Sequence, residues 1–203
     1  MANSKENIRK QQILDAALNI IVEKGYDNAR MDDIVKISGM SKGAIYYYYK
    51  SKKDIYLDLV NHWVHLYAGS LNEISNDDLS ATDQLKGLFE YFIDQFENNP
   101  LVFRALVEFW SLSTRDKDFH RKLLKVYREF LGLISAILEG GIKSKEFKKL
   151  DVKTASLSIM INIEGIIWFS MYNALGFTAR DYITTITDFI LSGITKQKSG
   201  ASA

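Results

Sequence analysis

The chain is predicted to be all-α, on three observations. It has a single proline, Pro100, in 203 residues, so almost nothing in it interrupts a helix. Its apolar residues, 47% of the total, recur three and four apart, with few alternating β-branched runs. Start and stop signals also punctuate the apolar runs at helical lengths. They mark out about nine helices: a three-helix N-terminal helix-turn-helix module over residues 1–52, a helical body over 53–196, and a disordered tail, 197–203 (QKSGASA).

The first helix spans Lys5 to Lys24, with Ile8, Ile13, Leu14, Ala16 or Ala17, Leu18 and Ile21 at helical spacing, and Gly25 ends it. Lys5, Arg9 and Lys10 at its start suit either phosphates or plain solvent. Residues 31–38 form the second helix, with Asp32 and Asp33 at the positive end of its dipole. Asn28 is its expected cap. Gly39 takes the sharp turn after it, and Ser41 caps a third helix carrying Lys42, Gly43, Ala44, Tyr46, Tyr47 and Tyr48. Ile34, Val35, Met40 and Ile45 lock the pair. Four consecutive tyrosines cannot share one helix face, so Tyr49 is expected to turn inward. Ser51-Lys52-Lys53-Asp54 is an S-x-x-D start for a long helix to about Ile74.

A helix in this position docks in a DNA major groove with its N-terminal residues at the base edges. Lys42 could donate to guanine or only to a phosphate, and Ala44 offers a surface for a thymine methyl. Gly43 costs helix propensity but permits close backbone approach. Asp32 either accepts from a cytosine amino group or only stabilises the dipole. Lys52 and the free amides beside it are expected to hold a phosphate. Charge is distributed accordingly. Residues 1–53 hold ten Lys and Arg against six Asp and Glu, while the remainder is net negative, for a total of +1.

The stretches Gly25-Tyr26, Asp33-Ile34, Gly39-Met40-Ser41-Lys42-Gly43, Ile45 to Tyr49 and Ser51-Lys52-Lys53-Asp54-Ile55 resemble the DNA-binding region of the tetracycline-repressor (TetR) family of bacterial regulators. The resemblance covers roughly the first 55 residues; beyond residue 60 only the layout is similar. It implies that Tyr46 donates to a phosphate and that Tyr47 packs along the groove. The family usually has Ser or Thr just before its second helix, where this chain has Ala29-Arg30. Arg30 would then supply the phosphate contact by charge. The implied architecture is a DNA-binding domain followed by a ligand-binding and dimerisation domain.

In the body, Ser80 or Thr82 starts a helix to Asn98 with Leu85, Leu88, Phe89, Phe92, Ile93 and Phe96 on its apolar side. Pro100 begins the next, Leu101 to Ser113. Another runs from about Lys117 to Lys143, and Glu146 to Lys149 is expected to be a connector with a frayed helical turn. Residues 151–175 read as one helix, apolar on more than one side. Asn162 and Glu164 near its middle argue against a membrane span, since a central acid costs about 2.5–3.5 kcal/mol to insert. A last amphipathic helix covers 178–196. These two helices expose more apolar surface than one protomer needs, so pairing with a second copy is expected. The resemblance implies the same homodimer.

The resemblance further implies a small-molecule pocket in the body. Its expected lining is Trp63, Phe92, Phe96, Phe109, Trp110, Tyr127, Trp168 and Tyr172, with Glu108, Asn162 and Glu164 as polar groups. An acid among aromatics favours an aromatic or cationic lipophile; the bland alternative is ordinary core. No cysteine exists, which removes disulfides and thiolate metal sites. His62 and His65 lack a third ligand nearby, His120 is isolated, and no metal or cofactor is expected. No phosphate-cradling glycine loop, G-x-S-x-G or nucleophilic Cys supports an enzyme. The polar start MANSKENIRKQQ lacks a signal core, so a cytoplasmic protein is expected. The expected function is a dimeric, ligand-responsive regulator, in the main a repressor, on a palindromic operator. The alternative is a dimeric DNA-binding regulator with no effector, its body serving dimerisation or a protein partner.

Overall fold

Helical spacing of apolar side chains accounts for the element order of the computed structural model. It describes the backbone of residues 2–74, 78–172 and 176–196, and side chains of 5–63, 78–169, 172 and 176–196. These residues contain ten helical segments: α1 Ala2–Asn28, α2 Met31–Ser38, α3 Lys42–Tyr48, α4 Lys52–Ile74, α5 Ala81–Asn98, α6 Pro100–Ser113, α7 Lys117–Lys143, α8 Val152–Glu164, α9 Ile166–Tyr172 and α10 Ala179–Ile194. The expected tail, 197–203, lies outside the described residues.

Three expectations are corrected. Gly25 does redirect the chain, at φ 71 and ψ 166, but a further turn comes after it, with the Ala29 amide donating to the Gly25 carbonyl at 3.2 Å. The expected helix 151–175 breaks at Gly165 into α8 and α9, and 173–175 lie outside the described residues. A Cβ at Gly165 would stand 2.8 Å from the Tyr182 hydroxyl, so the glycine lets α10 approach closely. Residues 146–149 are not a frayed helix. Phe147 bridges Thr195 as an isolated antiparallel pair, with the Lys148 amide donating to Ile194 and the Lys196 amide to Glu146, at 2.8 and 2.9 Å.

The described chain forms two compact units: Met1–Tyr67 with Leu101–Val126, and Ala68–Pro100 with Tyr127–Ala203. α6 and the first part of α7 group with the helix-turn-helix in the first of these units. In the first unit Ile13, Ala17 and Ile21 of α1 are buried with Ile34, Ile45, Ile55, Leu59, Phe103 and Phe109. An aromatic chain runs through this core. Tyr26 meets Tyr56 and Phe119 edge-on at 5.4 and 5.6 Å, Phe109 stacks on Phe119 at 5.8 Å, and Trp63 meets Phe109 at 5.5 Å. Such pairs contribute about 0.5–1.5 kcal/mol each beyond area burial.

In the second unit α10 packs on α5, α8 and α9. Leu85, Leu88 and Phe89 of α5 are buried, as are Ile134 and Leu138 of α7, Ile163 of α8 and Ile183 of α10. Glu146 closes the start of α5, accepting from the Ala81 and Thr82 amides at 3.2 and 3.1 Å. Burial opposes its charge, but the amides of Thr82 and Ala81 and the hydroxyls of Ser144 and Thr82 together hold its carboxyl below the ordinary range. Arg180 grips Glu97 through two nitrogens, at 3.0 and 2.8 Å. By length and composition alone, the stretch Val152–Phe169 is apolar enough to cross a membrane, with mean hydropathy 1.2.

Candidate nucleic-acid interface

The turn between α2 and α3 is built from local signals. Gly39 sits at φ 66 and returns its amide to the Val35 carbonyl, a left-handed cap that other residues adopt at a cost. Met40 is buried behind it. The Ser41 hydroxyl accepts the Ala44 amide at 3.2 Å and so starts α3. Gln12 of α1 donates to the Ser38 carbonyl at 2.6 Å, fixing the end of α2.

Two side chains anchor α3: Ile45 is fully buried, and Tyr49 is buried too, turned inward as its place in the tyrosine run predicts. The Tyr49 hydroxyl donates to Asp58 of α4 at 2.6 Å. Burial first, and then this bond, raise its pKa well above the ordinary phenol value. The opposite face is open. Tyr46 and Tyr47 are 44% and 82% exposed. A Cβ on Gly43 would meet nothing within 4 Å. Tyr48 is half-buried and meets Tyr47 edge-on at 5.0 Å. Lys42 pairs with Asp32 at 2.8 Å, both well exposed, so each of these candidate base readers already has a partner in the free protein.

Residues before α2 depart from expectation. Asn28 does not cap that helix; its amide donates back to the Lys24 carbonyl at 3.1 Å. Asp33 does so instead, accepting the Arg30 amide at 2.9 Å while pairing with Lys24 at 2.7 Å. Hydrogen bonding by Lys24 and then by Arg30 holds its carboxyl below the usual range. Arg30 stays exposed.

Lys52, expected at a phosphate, is held by backbone carbonyls in the free protein. Its ammonium donates to the carbonyls of Tyr26, Asp27 and Ala29 at 2.7, 3.3 and 2.9 Å. It also lies 4.5 Å above the Tyr26 ring. An ammonium has three donors, and in the free protein each has one of these carbonyls as its acceptor. Burial pushes its pKa down. The S-x-x-D start is as expected: the Ser51 hydroxyl accepts the Asp54 amide at 3.2 Å.

The expected ligand-lining residues divide between the units. In the first, Trp63 and Phe109 pack together while Trp110 is half-buried. Glu108 is already engaged there, accepting the Tyr26 amide at 3.2 Å. In the second, Phe92 meets Phe130 at 5.2 Å, Phe96 is half-buried, and Glu164 accepts from Tyr127. Burial is the main influence on Glu164 and raises its carboxyl above the usual range. Asn162 donates to its own helix at Ser158 and faces the Tyr182 hydroxyl at 3.4 Å. Trp168 and Tyr172 do not line an interior in the chain as it stands. They stack on each other at 5.3 Å and are 62% and 60% exposed. Sequence reasoning missed Asp58 and Tyr56. Both stand on α4 within two turns of Lys52, where helical spacing directs side chains three and four apart to one face. The side chain of His65 lies outside the described residues.

Known proteins share this fold. A family profile described as bacterial regulatory proteins, tetR family, matches residues 13–59. A second, described as BetI-type transcriptional repressor, C-terminal, matches residues 81–194. The fatty acid metabolism regulator protein of Bacillus subtilis is 25% identical over 184 residues, 90% of this chain and 94% of that protein. The crystal structure of FadR from Bacillus subtilis in complex with stearoyl-CoA superposes with a TM-score of 0.79 at 24% identity, covering 91% of this chain and 98% of the other. A protein from Saccharomonospora viridis solved with choline gives 0.82 at 23% identity, covering 93% and 98%.

Proposed function

Because this chain belongs to the tetR family of bacterial regulatory proteins, a family of DNA-binding transcriptional regulators, we propose that it is a homodimeric repressor that leaves a palindromic operator when a small lipophilic effector enters its body. One observation carries the reading. α3 presents Lys42, Gly43, Ala44, Tyr46 and Tyr47 on an open face, while Ile45 and Tyr49 fix it from behind. Lys42, Gly43 and Ala44 meet base edges. Arg30, Ser41, Tyr46 and Tyr48 meet phosphate and sugar, and Tyr47 lies along the groove. Phosphate contacts position the protein and base contacts select the sequence.

The dimer reading is supported by apolar side chains left in the open on the last helices: Leu157, Ile161, Trp168, Tyr172 and, on α10, Phe189 at 75%. A twofold pairing through them would place two recognition helices roughly 34–36 Å apart, or a multiple of that. The regulator acts on the chromosome, hence in the cytoplasm, and no step of this mechanism is catalytic.

The effector reading is supported by Glu164, a half-buried acid hydrogen-bonded to Tyr127 in an aromatic unit. Relatives bind stearoyl-CoA and choline, an acyl chain and a quaternary cation. Stearoyl-CoA, choline and lipophilic cations are therefore the probes. A compound bound only to the folded form raises Tm.

The deciding measurement is fluorescence anisotropy on DNA from upstream of the protein's own gene, beside a scrambled duplex. A specific excess of about 10³ or more, with two protomers per site, is expected. Equal affinity for both duplexes would count against the operator reading.

A further inference from the structure

An ion pair stands in the open on the face that α2 and α3 present to DNA. We propose that Asp32 and Lys42 act as one unit that reads a single G·C base pair in each half-site, Lys42 on the guanine and Asp32 on its cytosine. The inference rests on the DNA-binding reading above and adds to it an acidic base reader on α2.

A carboxylate is out of place on a surface that meets a polyanion, where like charges repel. The fold does not account for it. The cap of α2 belongs to the next residue, Asp33, which accepts the Arg30 amide and pairs with Lys24. Asp32 instead reaches across to the first residue of α3 and holds the Lys42 ammonium at 2.8 Å. Both side chains are well exposed, and an ion pair in water adds little to stability. Beside it the backbone at Gly43 is open, with nothing within 4 Å of where a Cβ would stand. The pair therefore sits at the start of the recognition helix, at the height of the base edges.

Its spacing matches one base-pair edge. In a G·C pair the guanine O6 accepts from the cytosine N4 amino group, so an acceptor and a donor lie at hydrogen-bond distance from each other in the major groove. Lys42 and Asp32 present the complement, a donor and an acceptor 2.8 Å apart. An ammonium has three donors. One stays with Asp32, and two reach O6 and N7 of the guanine. The carboxylate takes the second N4 proton of the cytosine. Reversing the base pair sets the carboxylate against O6 and N7 and the ammonium against the amino group, so both contacts turn repulsive. Thymine in place of the guanine keeps an acceptor, O4, for Lys42 but offers a methyl group where N7 was, and ranks second.

The test uses Asp32→Ala, Lys42→Ala and the double variant in the full chain. Both positions are exposed, and Asp33 keeps its cap in each variant. Random-library selection on the unmodified protein defines the preferred duplex. Competition anisotropy then compares duplexes changed one base pair at a time, symmetrically in both half-sites. We expect one position at which G·C is favoured over C·G by about tenfold or more. Lys42→Ala and Asp32→Ala should each flatten that preference at that same position and leave the other positions unchanged. The double variant should flatten it no further than the single ones, as for residues that act together. An Asp32→Ala protein that binds every duplex more tightly by one common factor would show that the aspartate only masks the lysine, and would overturn the proposal. So would flattening at a different position from that of Lys42→Ala, or none at all in either variant. If the unmodified protein selects no sequence, the operator reading fails and takes this one with it; a selected operator whose G·C preference survives Asp32→Ala overturns this one alone.

Discussion

Adjacent glycines in α7 should respond to alanine with opposite signs. A Cβ on Gly140 would meet nothing within 4 Å, whereas one on Gly141 would stand 2.8 Å from Phe147 Cγ and closer still to Cδ2 and Cε2. The ring cannot step aside. Phe147 is fully buried, and its amide is bonded to the Gly141 carbonyl at 2.9 Å while its neighbours pair with Ile194 and Lys196. Gly→Ala in a helix gains about 1 kcal/mol of propensity. At position 141 this is offset by displacing a core phenylalanine, which costs about 3–5 kcal/mol when its packing is lost. The net expectation is a loss of about 2–4 kcal/mol for Gly141→Ala, against a gain of about 0.5–1 kcal/mol for Gly140→Ala. Urea denaturation followed by far-UV circular dichroism, at equal protomer concentration, measures both. If Gly141→Ala unfolds at or above the urea midpoint of the unmodified protein, the account of this contact is wrong.

Three further substitutions probe other parts of the molecule. Tyr49→Phe removes the donor to Asp58 and should cost about 1–3 kcal/mol; an unchanged urea midpoint would show that bond to be idle. Tyr47→Ala, at an 82% exposed position, should melt within about 0.5 kcal/mol of the parent yet bind its operator more weakly in anisotropy, and equal affinity would remove Tyr47 from the interface. Glu164 has a folded-state pKa raised by burial, so the native state holds more protons than the unfolded chain between the two values. Stability therefore falls as pH rises through the folded pKa. Glu164→Gln should melt above the parent at neutral pH, and scanning calorimetry should find the gap closing by about pH 4.

Much of this fold was legible because its punctuation is local. Gly39, Ser41, Ser51 and Pro100 each act on residues within one turn, and their helices begin or end within a residue or two of the expected places. The illegible parts depend on distant partners. Gly165 inside an apolar run reads as a tolerated defect; in the fold it accommodates Tyr182 on another helix. Lys52 sits where a phosphate ligand is expected, and its acceptors in the free protein lie 23 to 26 positions earlier. Glu108 reads as a pocket acid, but its partner is 82 positions away. Trp168 and Tyr172 expose a further limit. A helix apolar on several sides looks the same whether its second face meets the protomer's core or a second copy, so nothing in the pattern opposed the pocket that the resemblance implied for both rings.

The charged groups around the α1–α2 junction form an inner and an outer set with different physics. The inner contacts, Lys52 and Glu108 to backbone groups of residues 26–29, are partly buried. The outer ones are ion pairs at the α6–α7 corner: Arg115 with Asp27 at 2.7 Å, and Lys53 with Asp116 and Asp118 at 2.7 and 2.6 Å. Arg115–Asp27 is exposed and Lys53–Asp116 partly buried; pairs between charges near the surface are weakened by salt screening. Added salt should therefore loosen the exposed Arg115–Asp27 pair first. Lys42 brings in the same screening at the DNA face, through its bond to Asp32. The salt dependence of operator binding thus mixes counterion release with the protein's own ion pairs. Only the difference in slope between a variant and its parent, both carrying the same outer ring, isolates a single lost phosphate contact. By that comparison a positioning lysine and a phosphate-binding lysine give opposite answers.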